Sequence, residues 1–176
     1  YVHGALGRIE LFKGERPLFE THNVEQEISR ALQPRVNLNF GSYLIIESTE
    51  AMTTIDVNTG SFVGARNFDE TIFRTNLEAC HTIARELRLR NLGGIIIIDF
   101  IDMVLEANRD LVLRRLVECL GRDRTKHQVA EVTSLGLVQM TRKRMGTGLV
   151  EVFSETCEHC AGRGILIQDT PVERGR

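Results

Sequence analysis

Tryptophan is absent, proline occurs three times and tyrosine twice among the 176 residues. So little proline, with 15 glycines and no internal repeat, excludes a collagen-like or mucin-like chain. Ile95–Ile98 is as long as the apolar runs become, far below the roughly 20 residues of a membrane-spanning helix. Four cysteines are too few for a disulfide scaffold, so reduced thiols and a cytoplasmic setting are the expectation. No charged-then-apolar leader gives support to secretion, and the opening at Tyr1 reads as the middle of a structured region, which predicts a fragment. A Walker loop, a GxSxG elbow and a GxGxxG turn after a strand are all missing, so the sites those motifs build are not expected.

What is present describes an ordinary globular chain, 42% apolar and 26% charged, with a formal charge of -2. The charge is unevenly spread. Between Ala107 and Gly148, nine Lys or Arg face four acids, a local excess of +5. Such an excess suits a polyanion, because field and counterion release act locally, and it also suits a merely solvated helix face.

The spacing of apolar residues predicts a layered α/β core. A short helix over Val24–Gln33 is stopped by Pro34. Tyr43–Glu47 and Ala51–Val57 read as a hairpin. Asn67, with Glu70 three residues on, predicts a capped helix whose stripe is Phe73, Leu77, Cys80, Ala84 and Leu87. A glycine of Gly93-Gly94 is expected to supply its left-handed end, with Arg85, Arg88 and Arg90 facing outward. Ile95–Ile98 is apolar at every position, which predicts a strand buried on both faces. A helix over Glu106–Gly121, with a stripe at Val112, Leu113, Leu116, Val117 and Leu120, and strands near His127–Val132 and Gly136–Met140 complete the core. Residues from Asp169 on read as a loose tail.

Two constellations can carry chemistry. In Ile55-Asp56-Val57-Asn58 the strand period of two puts Asp56 and Asn58 on one face and the apolar pair on the other. Asp99 is the first polar residue after Ile95–Ile98, at a strand's carboxyl end, where open α/β sheets hold their sites. If the two strands are neighbours, the carboxylates meet and repel, and Mg²⁺, an oxygen-seeking ion often held by one or two carboxylates, relieves them. Each Asp taken alone also fits a turn or helix cap, and Asp102, on the opposite parity, reads as a turn or supporting residue.

The second constellation is Cys157-x-x-Cys160-x-Gly162-x-Gly164, a zinc-knuckle spacing. A structural zinc takes four ligands and this motif offers two. Cys80 and Cys119 read as core residues, so the count points to a half-site completed by a second copy of the chain. A redox dithiol is the rival reading, and His159 inside the loop reads as a bystander. Arg124, Lys126, Arg142, Lys143 and Arg144 are candidate phosphate contacts. His3, His22, His81 and His127 form no usable spacing, and with so few aromatics most base stacking is expected elsewhere.

Glu50–Gly60, Thr75–Ala79, Arg85–Arg90, Gly93–Met103 and the Cys157–Gly164 motif together strongly resemble the bacterial ribonuclease E/G family, through nearly the whole chain and most tightly from Gly41 to Gly164. The resemblance does not separate the E-like from the G-like branch. It implies an Mg²⁺-dependent endoribonuclease that cuts single-stranded A/U-rich RNA to 5′-phosphate and 3′-hydroxyl ends, in RNA processing and decay. Asp56 and Asp99 would hold the metal and Asn58 would orient the site. Cys157 and Cys160 would share one Zn²⁺ with a second chain in a homodimer, with a tetramer left open. Lys126 matches a basic residue of a pocket for the substrate's 5′-monophosphate. Residues 1–33 would end a ribonuclease-H-like subdomain, 34–153 form a deoxyribonuclease-I-like catalytic subdomain, and 154–176 carry the zinc link and the start of a small domain. The family's OB-fold and 5′-sensor domains have no counterpart here. A zinc-bridged dimerisation or RNA-binding module without turnover is therefore the alternative reading.

Overall fold

The computed structural model describes residue 4 and residues 6–60 and 67–172. His3 and the end of the tail beyond Val172 lie outside them. Two short helices, α1 (Leu18–Thr21) and α2 (Val24–Ala31), lead into β1 (Arg35–Asn37), which the sequence pattern had not signalled. A single turn over Asn39–Gly41 then opens the hairpin of β2 (Tyr43–Ser48) and β3 (Met52–Asn58). Helix α3 (Phe68–Leu89) crosses over to β4 (Gly94–Asp99), and α4 (Glu106–Leu120) leads to the hairpin of β5 (His127–Val132) and β6 (Leu137–Arg142). A last turn of helix, α5, covers Leu149–Val152.

The six strands form one mixed sheet in the order β1-β2-β3-β4-β6-β5. Only β3 and β4 run parallel among its neighbours, and α3 supplies the long crossover that a parallel pair needs. Alternation decides which face is buried. Val36, Leu44, Ile46, Ile55, Val57, Ile96, Ile98, Val138 and Met140 point to the side where α3 and α4 pack, and they form a single core with Ile72, Ile83, Leu87, Leu116 and Leu120. Each such side chain contributes about 1.5–3 kcal/mol by leaving water.

The other face of the sheet is open, which corrects the reading of β4 as doubly buried. Ile95 is 40% exposed and Ile97 half-buried, while Ile96 and Ile98 are wholly covered. An all-apolar strand can therefore sit in a two-layer fold, its outer residues covered partly by their neighbours on the sheet.

Helix α3 begins as expected, with the Asn67 side chain accepting the Glu70 amide at 3.3 Å. The reciprocal half of the capping box is replaced by a Glu70–Arg74 ion pair. At the other end Asn91, not a glycine, takes the left-handed conformation (φ 52°). Arg90 does not face outward. It is 2% exposed and its Nε donates to Glu86 Oε2 at 2.8 Å, while Arg30 from α2 reaches the same wholly buried carboxylate at 2.9 Å. The α4 stripe is narrower than its spacing suggests: Val112, Leu116 and Leu120 are buried, Leu113 is half-buried and Val117 is exposed. Among the described residues no helix is long and apolar enough to cross a membrane.

Candidate functional site

The parallel register of β3 and β4 makes Asp56 and Asp99 direct partners. Both are exposed on the open face, because Ile55, Val57 and Ile98 on either side of them are committed to the core. Neighbouring strands lie about 4.8 Å apart, so the two carboxylates share one small region of surface. Neither has a Lys or Arg at ion-pair distance among the described residues. Burial pushes the Asp99 carboxyl up from its ordinary value, the charge and hydrogen bonding of Asp56 push it further, and Asp102 adds to the effect. Asn58 lies two residues beyond Asp56 on the same face, half-buried opposite Tyr43.

Two buried contacts fix the chain just past Asp99. Phe100 fills the core and its amide donates to Gly136 O at 3.2 Å. Asn76 of α3, wholly buried, donates to Ile101 O at 2.9 Å and accepts the Ile101 amide at 3.1 Å. An amide that satisfies both backbone groups of one residue clamps the end of β4 to the helix. Asn76 sits beside the apolar stripe in the sequence, and its role is invisible there because its partner lies 25 residues away.

Past Asn58 the chain turns at Gly60 (φ 65°), where an added Cβ would lie 2.1 Å from Gly41 O. Neither the left-handed backbone nor the contact with another backbone atom tolerates a side chain. Gly60→Ala is expected to cost at least about 1–2 kcal/mol, which lowers the melting temperature by about 4 °C or more in scanning calorimetry. Beside this turn lies a cleft of about 470 Å³ whose lining includes Asn39, Ser42, Thr59, Asn67 and Arg74.

The basic residues do not join the carboxylates. Arg124, Lys126, Lys143 and Arg144 are exposed at the other end of the sheet, where Arg142 pairs with Gly94, and the Lys143 amide donates to Lys126 O at 2.9 Å. From Gly94 to Asp99 the strand advances about 17 Å. Arg142 must be removed from the candidate phosphate contacts. It is 4% exposed, forks onto Asp123 at 2.7 and 3.2 Å, and donates to Leu92 O at 2.9 Å. Its guanidinium is used up in joining β6 to the α3–β4 and α4–β5 turns.

Cys157 and Cys160 lie on one exposed turn closed by the Ala161 amide on Cys157 O (2.9 Å) and the Arg163 amide on Cys160 O (2.9 Å). Left-handed backbone at Ala161, Gly162 and Gly164 folds the following segment back. The Gly164 and Gly162 amides and the Cys157 thiol accordingly hold the Cys160 thiol below its ordinary range. Cys80 and Cys119 stay apart from this turn: Cys80 is wholly buried against Asn76 O and Val112 O, and burial pushes both thiols up. Among the described residues no group of three or more His, Cys, Asp or Glu is gathered to hold a metal.

Comparison with known proteins gives this arrangement its family. Residues 2–145 match the model of the ribonuclease E/G family. The chain is 56% identical to ribonuclease G of Haemophilus influenzae over 157 residues, covering 89% of the chain and 32% of that protein. It is 53% identical to ribonuclease G of Escherichia coli (strain K12) over 166 residues, 94% of the chain and 34% of the relative. It is also 46% identical to ribonuclease E of Synechocystis over 167 residues, 95% and 25% of the respective lengths. The chain thus spans about a third or less of the length of these relatives, and within that span it belongs to the ribonuclease E/G family.

Proposed function

We propose that the chain is the catalytic core of an Mg²⁺-dependent endoribonuclease that cuts single-stranded, A/U-rich RNA and leaves 5′-phosphate and 3′-hydroxyl ends. The observation that carries the proposal is the Asp56–Asp99 register on an open sheet face. Family membership supports RNA as the substrate class, and the resemblance noted in the sequence supports the preference and the ends.

The donor set fits the ion. Two carboxylates without a cationic partner among the described residues, one of them raised by burial and by the charge of the other, are stabilised by a divalent cation with oxygen affinity. When bound, Mg²⁺ supplies charge stabilisation at the phosphoryl oxygens and a water of lowered pKa. The chain's own part is to hold that charge still. Asp56 and Asp99 stand on neighbouring strands whose other faces are locked in the core, and Asn76 and Gly136 prevent the end of β4 from drifting. Asn58, on the same face, can donate its amide to substrate or water and so orient the site.

The division into 1–33, 34–153 and 154–176, with a deoxyribonuclease-I-like middle, belongs to the same reading, as does a cytoplasmic setting. Lys126, Arg124, Lys143 and Arg144 would receive a phosphate remote from the cut, which suits an end-binding pocket better than a scissile one.

We further infer that Cys157 and Cys160 form half of a zinc site shared by two chains in a homodimer, with a tetramer left open. Support comes from the Cys157-x-x-Cys160-x-Gly162-x-Gly164 spacing and from the backbone amides that favour the Cys160 thiolate. Purified protein is expected to contain about one zinc per two chains, and Cys157→Ser to lose both the zinc and the dimer. Elemental analysis with light scattering tests this, and one zinc per chain would refute it. A module without turnover remains the second reading of the isolated chain. Incubation of that chain with 5′-phosphorylated single-stranded RNA, with and without Mg²⁺, separates the two.

A further inference from the structure

On the open face one row of register partners runs across five strands: Arg35 on β1, Ile45 on β2, Asp56 on β3, Asp99 on β4 and Leu137 on β6. Arg35 is the one Lys or Arg that the described strands present on this face, since Arg142 points to the core. Its guanidinium carbon sits over the Tyr43 ring, 3.7 Å from the centroid, and its Nε donates to Asn37 Oδ1 at 3.1 Å. Tyr43 in turn is the register partner of Asn58. No acid pairs with Arg35 among the described residues. An exposed guanidinium held by a ring and a side-chain amide through its Nε, with no acid paired to it among the described residues, is pre-organised for a planar fork of acceptors. Two strand spacings separate its backbone from that of Asp56, about 10 Å. That is within reach of a phosphate close to the scissile one on the same extended strand.

We propose that Arg35 is a phosphate-binding residue of a nucleotide subsite beside the carboxylate pair, and that Tyr43 is the positioning residue that holds its guanidinium against the sheet. The occupant is a single-stranded polynucleotide laid across the strands, because a cation followed by a carboxylate-bound divalent ion along one row complements a run of phosphates. The inference rests on the proposed nuclease site for the direction of the strand, but its test does not require turnover.

The test is binding of a single-stranded oligoribonucleotide by the intact protein carrying Asp99→Asn, with salt titrations for each added substitution. Arg35→Gln is expected to weaken binding about tenfold at moderate salt and to lower the slope of log K against log salt by about one. Arg35→Lys should keep the slope and lose part of the affinity, because the charge stays and the fork goes. Tyr43→Phe should bind like the parent, and Tyr43→Leu should fall toward Arg35→Gln, since the ring and not the hydroxyl positions the guanidinium. Arg114→Gln, an exposed arginine on α4, is the control for loss of net charge. An unchanged slope in Arg35→Gln overturns the proposal, as does an equal loss in Arg114→Gln. A change confined to melting temperature or oligomer mass also overturns it and would make this face a docking surface for protein. If cleavage instead proves indifferent to Asp99 while Arg35→Gln still loses RNA, the nuclease assignment falls and the subsite stands.

Discussion

The Asp99→Asn form of the intact protein is expected to cleave single-stranded RNA about a thousandfold or more slowly than the parent. Losing a metal-held charge at a phosphoryl centre removes several kcal/mol of transition-state stabilisation, and about 4 kcal/mol corresponds to about a thousandfold in rate. The substitution is nearly isosteric and sits at an exposed position, so the core beneath it, built from Ile98 and Phe100, is untouched. Melting temperature and RNA affinity should therefore stay close to the parent's while the single-turnover rate collapses. Asp56→Asn should behave alike, and the double substitution should cost little more than either single one, because two ligands to one ion act as a unit. Cleavage within a few fold of the parent would remove Asp99 from the chemistry. The same loss accompanied by a large fall in melting temperature would reassign it to folding.

A second large effect is expected far from that site. Glu86 is wholly buried and answers two guanidinium groups, Arg90 at 2.8 Å and Arg30 at 2.9 Å, with Arg85 at 3.3 Å. Burial pushes its carboxyl up, but the hydrogen bonds and charges of Arg90 and Arg30 outweigh burial and hold it below the usual carboxylate range. Removing one partner of a buried pair leaves the other uncompensated, at a cost of about 3–5 kcal/mol. Glu86→Gln should accordingly lower the melting temperature of the chain by about 10 °C. The pH dependence has a definite sign. A carboxyl with a depressed folded value stabilises the fold above its unfolded value of about 4.3, and that contribution fades as pH falls toward the folded value. The gap between parent and Glu86→Gln should be the same at pH 7 and pH 6 and should close below about pH 4. A gap that widens on acidification would contradict the network's sign.

The same network marks where sequence reading succeeds and where it fails. The hairpin of β2 and β3, the Asn67 cap, α3, α4 and the β5–β6 pair all follow from local signals: apolar periods of 2 and 3.6, turn residues, a capping side chain. The side-chain parity of Asp56 and Asn58 was legible for the same reason. Their meeting with Asp99 was legible only conditionally, since nothing local specifies that β3 and β4 are neighbours. Arg90 and Arg142 read as surface residues because charge is normally outside. What buries Arg90 is Glu86, four residues back, which is itself paired with Arg30 56 residues before it, and what buries Arg142 is Asp123, 19 residues back. Ile95 misled in the opposite sense, as an apolar residue on a face that α3 and α4 do not cover. Strand β1, three residues long, has too short a pattern to be seen, and with it Arg35 was missed as a neighbour of the site.

Direct titration of a divalent cation tests the shared-ion assignment without the complications of substrate. Isothermal calorimetry with Mg²⁺, or Mn²⁺ as a spectroscopic substitute, should find one weak site per chain in the parent and in Cys157→Ser. That site should vanish in both Asp56→Asn and Asp99→Asn. Equal metal affinity in the parent and in either aspartate variant would mean that the two carboxylates, adjacent as they are, do not hold an ion between them.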